Sequence, residues 1–419
     1  MKSFLLKYKY HIFILFIALI WISLFDFLTQ MSSQGVMHSD SYNYQESAKN
    51  LYIFYTGHIY RPILMAAITG IPYLFGGSDQ AVFNFSFYVN IFCWLISYLL
   101  LFEILKDYIK LKTAFLFTAL AIFIVGNTAH VFHLLTETIY QFFIILAFYL
   151  LLKYYKTKEF WYLSLSLSLL LSSMLIKPGS KFLAIIITVY FIIEIIKNHK
   201  SKSIIFLYGS LLMILIQCAG MKYQFGNFTI SYIDSPTYYA YIGSKAICIK
   251  NGKEWTQINN PRADYIFSNE ASGQKKIASE DLKNQLQHNT LNLGKAYISD
   301  LLENTKSGNS CIEECKNFNG KRYFNFWKTT LFDVTKWQNR FYTLLGIFLS
   351  VFFLLKTYKK PNPFTFISFF IAYIIVLSGI SCGQGDRFHL VTFPFVILLL
   401  AKFLSETKQF KPFFAPLQK

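Results

Sequence analysis

Residues 11–29 read HIFILFIALIWISLFDFLT, nineteen positions in which the only formal charge is Asp26, close to the end. A bilayer hydrocarbon core of about 30 Å is crossed by roughly 20 apolar residues in a helix. In lipid the backbone must pair within its own segment, which selects a helix for an uninterrupted run of this kind. Lys2, Lys7 and Lys9 precede the run as in a secretory leader. The stretch from Asp26 to Gln34 has no small-residue cleavage pattern, however, so the run reads as a retained anchor. Comparable runs follow at about 81–104, 113–131, 135–152, 159–176, 181–196, 203–221, 341–357, 363–381 and 388–404. The expectation is an all-α polytopic membrane protein of about ten transmembrane helices, in keeping with 54% hydrophobic and only 15% charged residues.

The formal charge of +18 could suggest a nucleic-acid partner. Its distribution points to the bilayer instead. With a cytoplasmic N-terminus, Lys106, Lys110, Lys112, Lys153, Lys156, Lys158, Lys197, Lys200, Lys202, Lys356, Lys359, Lys360, Lys402, Lys408 and Lys411 all fall on the cytoplasmic side, as positive-inside orientation requires. Both termini are then cytoplasmic, in what reads as a bacterial inner membrane. The five arginines, Arg61, Arg262, Arg322, Arg340 and Arg387, all fall on the opposite side. Their planar fork suits phosphate.

Two outer segments do not read as plain spans. Residues 30–80 hold an amphipathic stretch, Tyr42 to Phe54, and a short apolar one, Pro62 to Phe75, which predict interfacial helices. Residues 222–339 predict a small mixed subdomain, with strand-like starts at Phe228 to Ile233 and Tyr238 to Ile249 and a helix-like run from Ala278 to Leu302. The chain thus divides into a membrane module at 1–221 with its external loop 30–80, an external subdomain at 222–339, and C-terminal membrane helices at 340–419. Cys248, Cys311 and Cys315 lie in the external segment, where one disulfide among them is expected.

Four polar clusters share the outer face. The first runs His38-Ser39-Asp40-Ser41-Tyr42-Asn43-Tyr44, with Tyr60-Arg61-Pro62 about twenty residues on. Asp40 can take a proton from a hydroxyl or amine, or cap the helix that follows, and Arg61 can steady a phosphate. In the second, His130, His133 and Glu137 have helical spacing, so a divalent metal or a satisfied polar turn both fit. The third, Lys177-Pro178-Gly179-Ser180-Lys181, breaks an apolar stretch and offers two cations to a phosphate or to the interface. The fourth, Gly383-Gln384-Gly385-Asp386-Arg387-Phe388-His389, opens the last span. There Asp386 and Arg387 could pair or face a cavity.

Together these features resemble the GT-C superfamily of membrane glycosyltransferases, which includes protein O-mannosyltransferase-like and aminoarabinose-transferase-like enzymes. The resemblance is carried by Asp40, Tyr44, Ala48, Arg61 and Pro62 after the first span, by Glu137 and Tyr140 opening the fourth, by Lys177-Pro178, and by Arg387, Phe388 and Pro394 at the last. It implies a sugar donor carried on polyprenyl phosphate and attacked with inversion at the outer face, with a cell-envelope glycan, lipid or protein as acceptor. Asp40 and Glu137 would be catalytic, Arg61, Lys177, Lys181 and Arg387 would contact phosphate, and Tyr44, Tyr60 and His133 would support them. Family members often pair the first acidic residue with a second, but Ser39 and Ser41 flank Asp40. A divalent metal bound by Asp40, His130, His133 and Glu137 is therefore one option, and no other cofactor is assigned. The rival readings are an O-antigen polymerase or ligase, a lipid-linked sugar flippase or transporter, and an assembly subunit.

Overall fold

The computed structural model of the chain describes residues 2–35, 39–407, 410 and 414. His38, Lys408 and Lys411 of the sequence reading lie outside the described residues. The first membrane part comprises α1 (Lys2–Thr29), α2 (Ser39–Tyr52), α3 (Ile63–Thr69), α4 (Asp79–Leu105), α5 (Leu111–Ile122), α6 (Val125–Ala129), α7 (Glu137–Thr157), α8 (Phe160–Ser173), α9 (Lys181–Tyr190), α10 (Ile192–Lys197) and α11 (Ile205–Phe225). A polar stretch follows with α12 (Asp234–Pro236), a π-helical turn (Thr237–Ile242), α13 (Gly243–Lys250), α14 (Pro261–Phe267), α15 (Ala271–His288), α16 (Thr290–Lys306) and α17 (Ser310–Glu313). The chain closes with α18 (Phe324–Thr357), α19 (Pro363–Ser378) and α20 (Phe393–Glu406).

Among the described residues five helices are long and apolar enough to cross a membrane, and the bent pair Leu111–Ile122 and Val125–Phe132, turned by 61°, makes a sixth if it is one span. Ten runs were expected. The difference lies in helix breaks that hydropathy does not register, at Phe123–Ile124 and again between Tyr190 and Ile192. Helices Phe160–Ser173 and Pro363–Ser378 have 14 and 16 residues, about 21 and 24 Å at 1.5 Å per residue, short of a full core.

Residues 222–339 also depart from expectation, because the described residues contain no strand. Tyr238 to Ile249 is helical. Its small residues Ala240, Gly243 and Ala246 recur every three positions and are buried, Ala246 beside Ala296 of α16. Period three outweighs the β propensity of its aromatic and branched residues. Phe228 to Ile233 is irregular, and its backbone bonds to the loop before α3 through Tyr232 N–H to Ile59 O. The predicted helix at 278–302 is real but split at Asn289 into α15 and α16.

Packing brings one end of the bundle together. Phe148 of α7, Phe370 of α19 and Phe395 of α20 form a buried aromatic triangle with centroids 5.0–5.9 Å apart. It ties the helix that starts at Glu137 to the helix that follows Arg387. Lysines gather at the far end, where Lys156 pairs with Asp107, Lys106 with Glu103, and Lys356 and Lys402 with Glu406. Truncating Phe395 to Ala removes two edge-to-face contacts and a large buried surface. Unfolding in detergent is expected to show a loss of about 3–5 kcal/mol, and a loss below about 1 kcal/mol would mean the triangle does not hold these helices.

Candidate functional site

Asp40 sits in the first turn of α2, where the helix dipole favours a carboxylate. It does not act as the helix cap, because α2 already begins at Ser39 and the side chain turns to two guanidinium groups. Arg61 Nη2 donates to Asp40 Oδ1 at 2.5 Å, and Arg387 Nη1 donates to Oδ2. Arg61 also lies 4.5 Å above the ring of Tyr44 and donates from Nη1 to its hydroxyl oxygen at 3.3 Å. Tyr44 thus supports Arg61. His58 fixes the backbone here, since its Nδ1 accepts from Tyr60 N and Arg61 N at 3.1 and 3.2 Å. Burial pushes the pKa of His58 down, with Glu46 and Arg61 acting in opposite directions, and a neutral ring keeps Nδ1 available as acceptor.

Arg387 continues the chain of charges. Its Nε donates to Glu137 Oε1 at 2.7 Å, and Lys177 Nζ donates to the same oxygen at 3.0 Å. Burial works against the charge of Arg387, but Glu137 and Asp40 outweigh it and raise its pKa well above normal. Burial lowers the pKa of Lys177, with Glu137 opposing. The cluster therefore runs Arg61, Asp40, Arg387, Glu137, Lys177. Three cations meet two carboxylates, which leaves one positive charge in excess in a largely buried place. Charges this deep are costly unless paired, so an anion is the natural complement.

The turn that delivers Arg387 depends on glycine. Gly383 and Gly385 have φ of +67° and +60°, and a Cβ on Gly385 would strike the carbonyl of Gly308. Asp386 does not pair with Arg387. It accepts from Asn309 Nδ2 at 2.9 Å and packs so close to Gly126 that a Cβ there would lie 2.5 Å from Asp386 Oδ2. Burial pushes its pKa up to about 7, with the Asn309 hydrogen bond acting the other way.

Other expected members lie elsewhere. Lys181 pairs with Asp234 at 3.0 Å, outside the cluster, because α9 turns it toward the external segment. Tyr60 donates to Gln274 Oε1 at 3.0 Å. His130 and His133 do not share a helical face with Glu137. The chain passes through a 3-10 turn at His130–Phe132 and is extended at His133, whose Nε2 lies 3.2 Å from Met31 Sδ, while His130 Nδ1 is 3.8 Å from Glu137 Oε2. Among the described residues no three His, Cys, Asp or Glu side chains are arranged to hold a metal ion. Asp40 and Glu137 are engaged by cations, so the donor set does not fit one. Cys248, Cys311 and Cys315 are free thiols, and Cys315 Sγ points back to Cys311 O across a helical turn at 3.2 Å.

Beside Arg61 a cavity of about 300 Å³ opens between α2, α3 and α11, lined by Leu51, Ile63, Ala66, Gln217 and Met221. Gln217 accepts from Ile63 N at 3.1 Å and donates to Ile230 O at 2.9 Å. A buried amide within an apolar span was a readable signal, whereas Asn309 announces itself only through its partner Asp386, 77 positions away. Comparison with known protein families, with curated proteins and with solved structures gives no match for this chain. The geometry alone defines a class: a helical, membrane-type protein with a largely buried cluster of three cations and two carboxylates, one member of which, Arg61, borders a mostly apolar cavity.

Asp386 supplies a pH test. Its carboxyl keeps a proton to about pH 7 when folded and, in the unfolded chain, only to about pH 4. The folded state therefore binds more protons between these values, and stability falls as pH rises through that window. The thermal midpoint of the wild type relative to Asp386→Asn is expected to fall from pH 4.5 to 7.5. A constant difference would contradict a protonated Asp386.

Proposed function

We propose that the chain is an inverting glycosyltransferase, which moves a sugar from a polyprenyl-phosphate donor to a cell-envelope acceptor at the extracytoplasmic face. The observation that carries this reading is the positive excess of the Arg61, Asp40, Arg387, Glu137, Lys177 cluster beside an apolar cavity. A phosphate answers the charge and an isoprenoid chain answers the cavity. The lysines at the opposite end of the bundle support the orientation, because basic residues favour the cytoplasmic side. The GT-C-like order of motifs agrees, and under this reading the shorter apolar helices complete a set of about ten membrane segments.

In the proposed step an acceptor hydroxyl oxygen attacks the anomeric carbon from the face opposite the phosphate. The bond from that carbon to the phosphate oxygen breaks, and its electron pair leaves with polyprenyl phosphate. Asp40 takes the hydroxyl proton. Without a ligand both Asp40 oxygens accept from arginine. A phosphate that draws Arg61 and Arg387 onto itself frees a carboxylate lone pair for the acceptor, so donor binding prepares the base. Glu137 is only 1% exposed. It acts as a positioning residue that holds Arg387 and Lys177, not as a second base.

Asp40→Asn keeps the size and loses the basicity. Purified variant is expected to transfer about 10²- to 10⁴-fold more slowly from a polyprenyl-phosphate sugar, with donor affinity within a few fold of wild type. Unchanged transfer would sink the assignment of Asp40 as base.

A further inference from the structure

The external helix α16 leaves an apolar stripe uncovered. Leu291, Ile298 and Leu302 are 73%, 52% and 49% exposed and follow one another at seven and four residues, one face of the helix. Its opposite face is buried through Ala296, Asp300 and Asn304.

Two independent features set the depth at which this helix lies. The 34 residues of α18 extend about 51 Å at 1.5 Å per residue, well beyond a hydrocarbon core of about 30 Å. Roughly 20 residues counted back from Thr357 bring the far boundary close to Trp337. Trp337 and Arg340 stand there with the guanidinium 5.2 Å from the ring, the residue types that anchor helices at a membrane interface. At this level α16 is fastened to α18: Asn339 Nδ2 donates to Asn304 O at 2.6 Å and to Ser307 O at 2.8 Å. The second feature is the outer end of α19. Tyr297 donates to Val376 O at 2.8 Å, Asn304 donates to Ser378 O at 2.9 Å, and the Tyr297 ring lies against Gly379.

The surface next to the stripe is apolar too: Val376 of α19, whose carbonyl accepts from Tyr297, is exposed. Lys295 and Lys306 flank the stripe on the same helix. We infer that α16 lies in the bilayer at the boundary of headgroups and acyl chains, with Leu291, Ile298 and Leu302 in contact with lipid. An amphipathic helix of this composition binds such a boundary through its apolar area and its basic residues. The external segment is thereby clamped to the membrane surface instead of standing free in solvent. This inference does not depend on the transfer reaction.

The test uses the full chain in nanodiscs that contain a phospholipid with a photoreactive diazirine high in its acyl chain, followed by mass spectrometry of the adducts. Lipid adducts are expected on peptides covering 290–302, at a yield within about threefold of those on 341–344. Ile298→Glu with Leu302→Glu is expected to lower the α16 yield at least fivefold and to leave the α18 yield unchanged. Adducts on α18 without adducts on α16 in the wild type overturn the inference, whether or not the double variant folds. A variant yield equal to wild type on α16 overturns it as well. So do wild-type crosslinks from α16 to a second protein chain in place of lipid.

Discussion

A single guanidinium group holds the polar end of this protein together. Arg387, 7% exposed in its side chain, donates to Asp40 after the first helix and to Glu137 at the start of α7. These residues are 347 and 250 positions away in sequence. Glu137, 1% exposed in its side chain, is the carboxylate that burial would penalise most without it, since removing one partner of a buried pair typically costs about 3–5 kcal/mol. Arg61 and Lys177 flank the same two carboxylates and leave the positive charge in excess. Site and fold are therefore one problem, because the pairing that makes burial tolerable also gathers the chemistry.

Rigid surroundings keep that pairing in register. Glu137 is fixed by the start of α7, and the glycine turn at 383–385 aims Arg387. The aromatic triangle of Phe148, Phe370 and Phe395 ties the helices behind them. On the other side His58 and Tyr44 hold Arg61 through its backbone and its guanidinium. Asp40, with its side chain 26% exposed, is the most accessible of the five cluster residues.

Much of this was legible in the sequence. Uninterrupted apolar runs located helices, five or six of which among the described residues are long and apolar enough to cross a membrane, and the amphipathic pattern from Tyr42 to Phe54 matches α2 within a few residues. Asp40, Arg61, Glu137, Lys177 and Arg387 were picked out as outer-face residues, and the structure brings all five into contact. What escaped was decided by long-range packing. Lys181 is four residues from Lys177, yet a 3-10 turn and a new helix send it to Asp234. Asp386 finds Asn309 across 77 positions, a partner that no local spacing reveals. The aromatic stretch after Thr237 became helix because its alanines and glycine recur every three residues, a weaker local signal than its β-prone side chains. Apolar runs also conceal where a helix breaks, as at Phe123–Ile124.

We propose that the Arg61, Asp40, Arg387, Glu137, Lys177 cluster is the seat of a lipid phosphate. A cryo-EM map of the full chain with added polyprenyl phosphate tests it most directly. Phosphate density is expected within hydrogen-bonding reach of Arg61 and Arg387, with at least one of them drawn away from Asp40. The isoprenoid chain is expected in the cavity beside Leu51 and Met221. Lipid bound elsewhere, with both arginines still on Asp40, would contradict it.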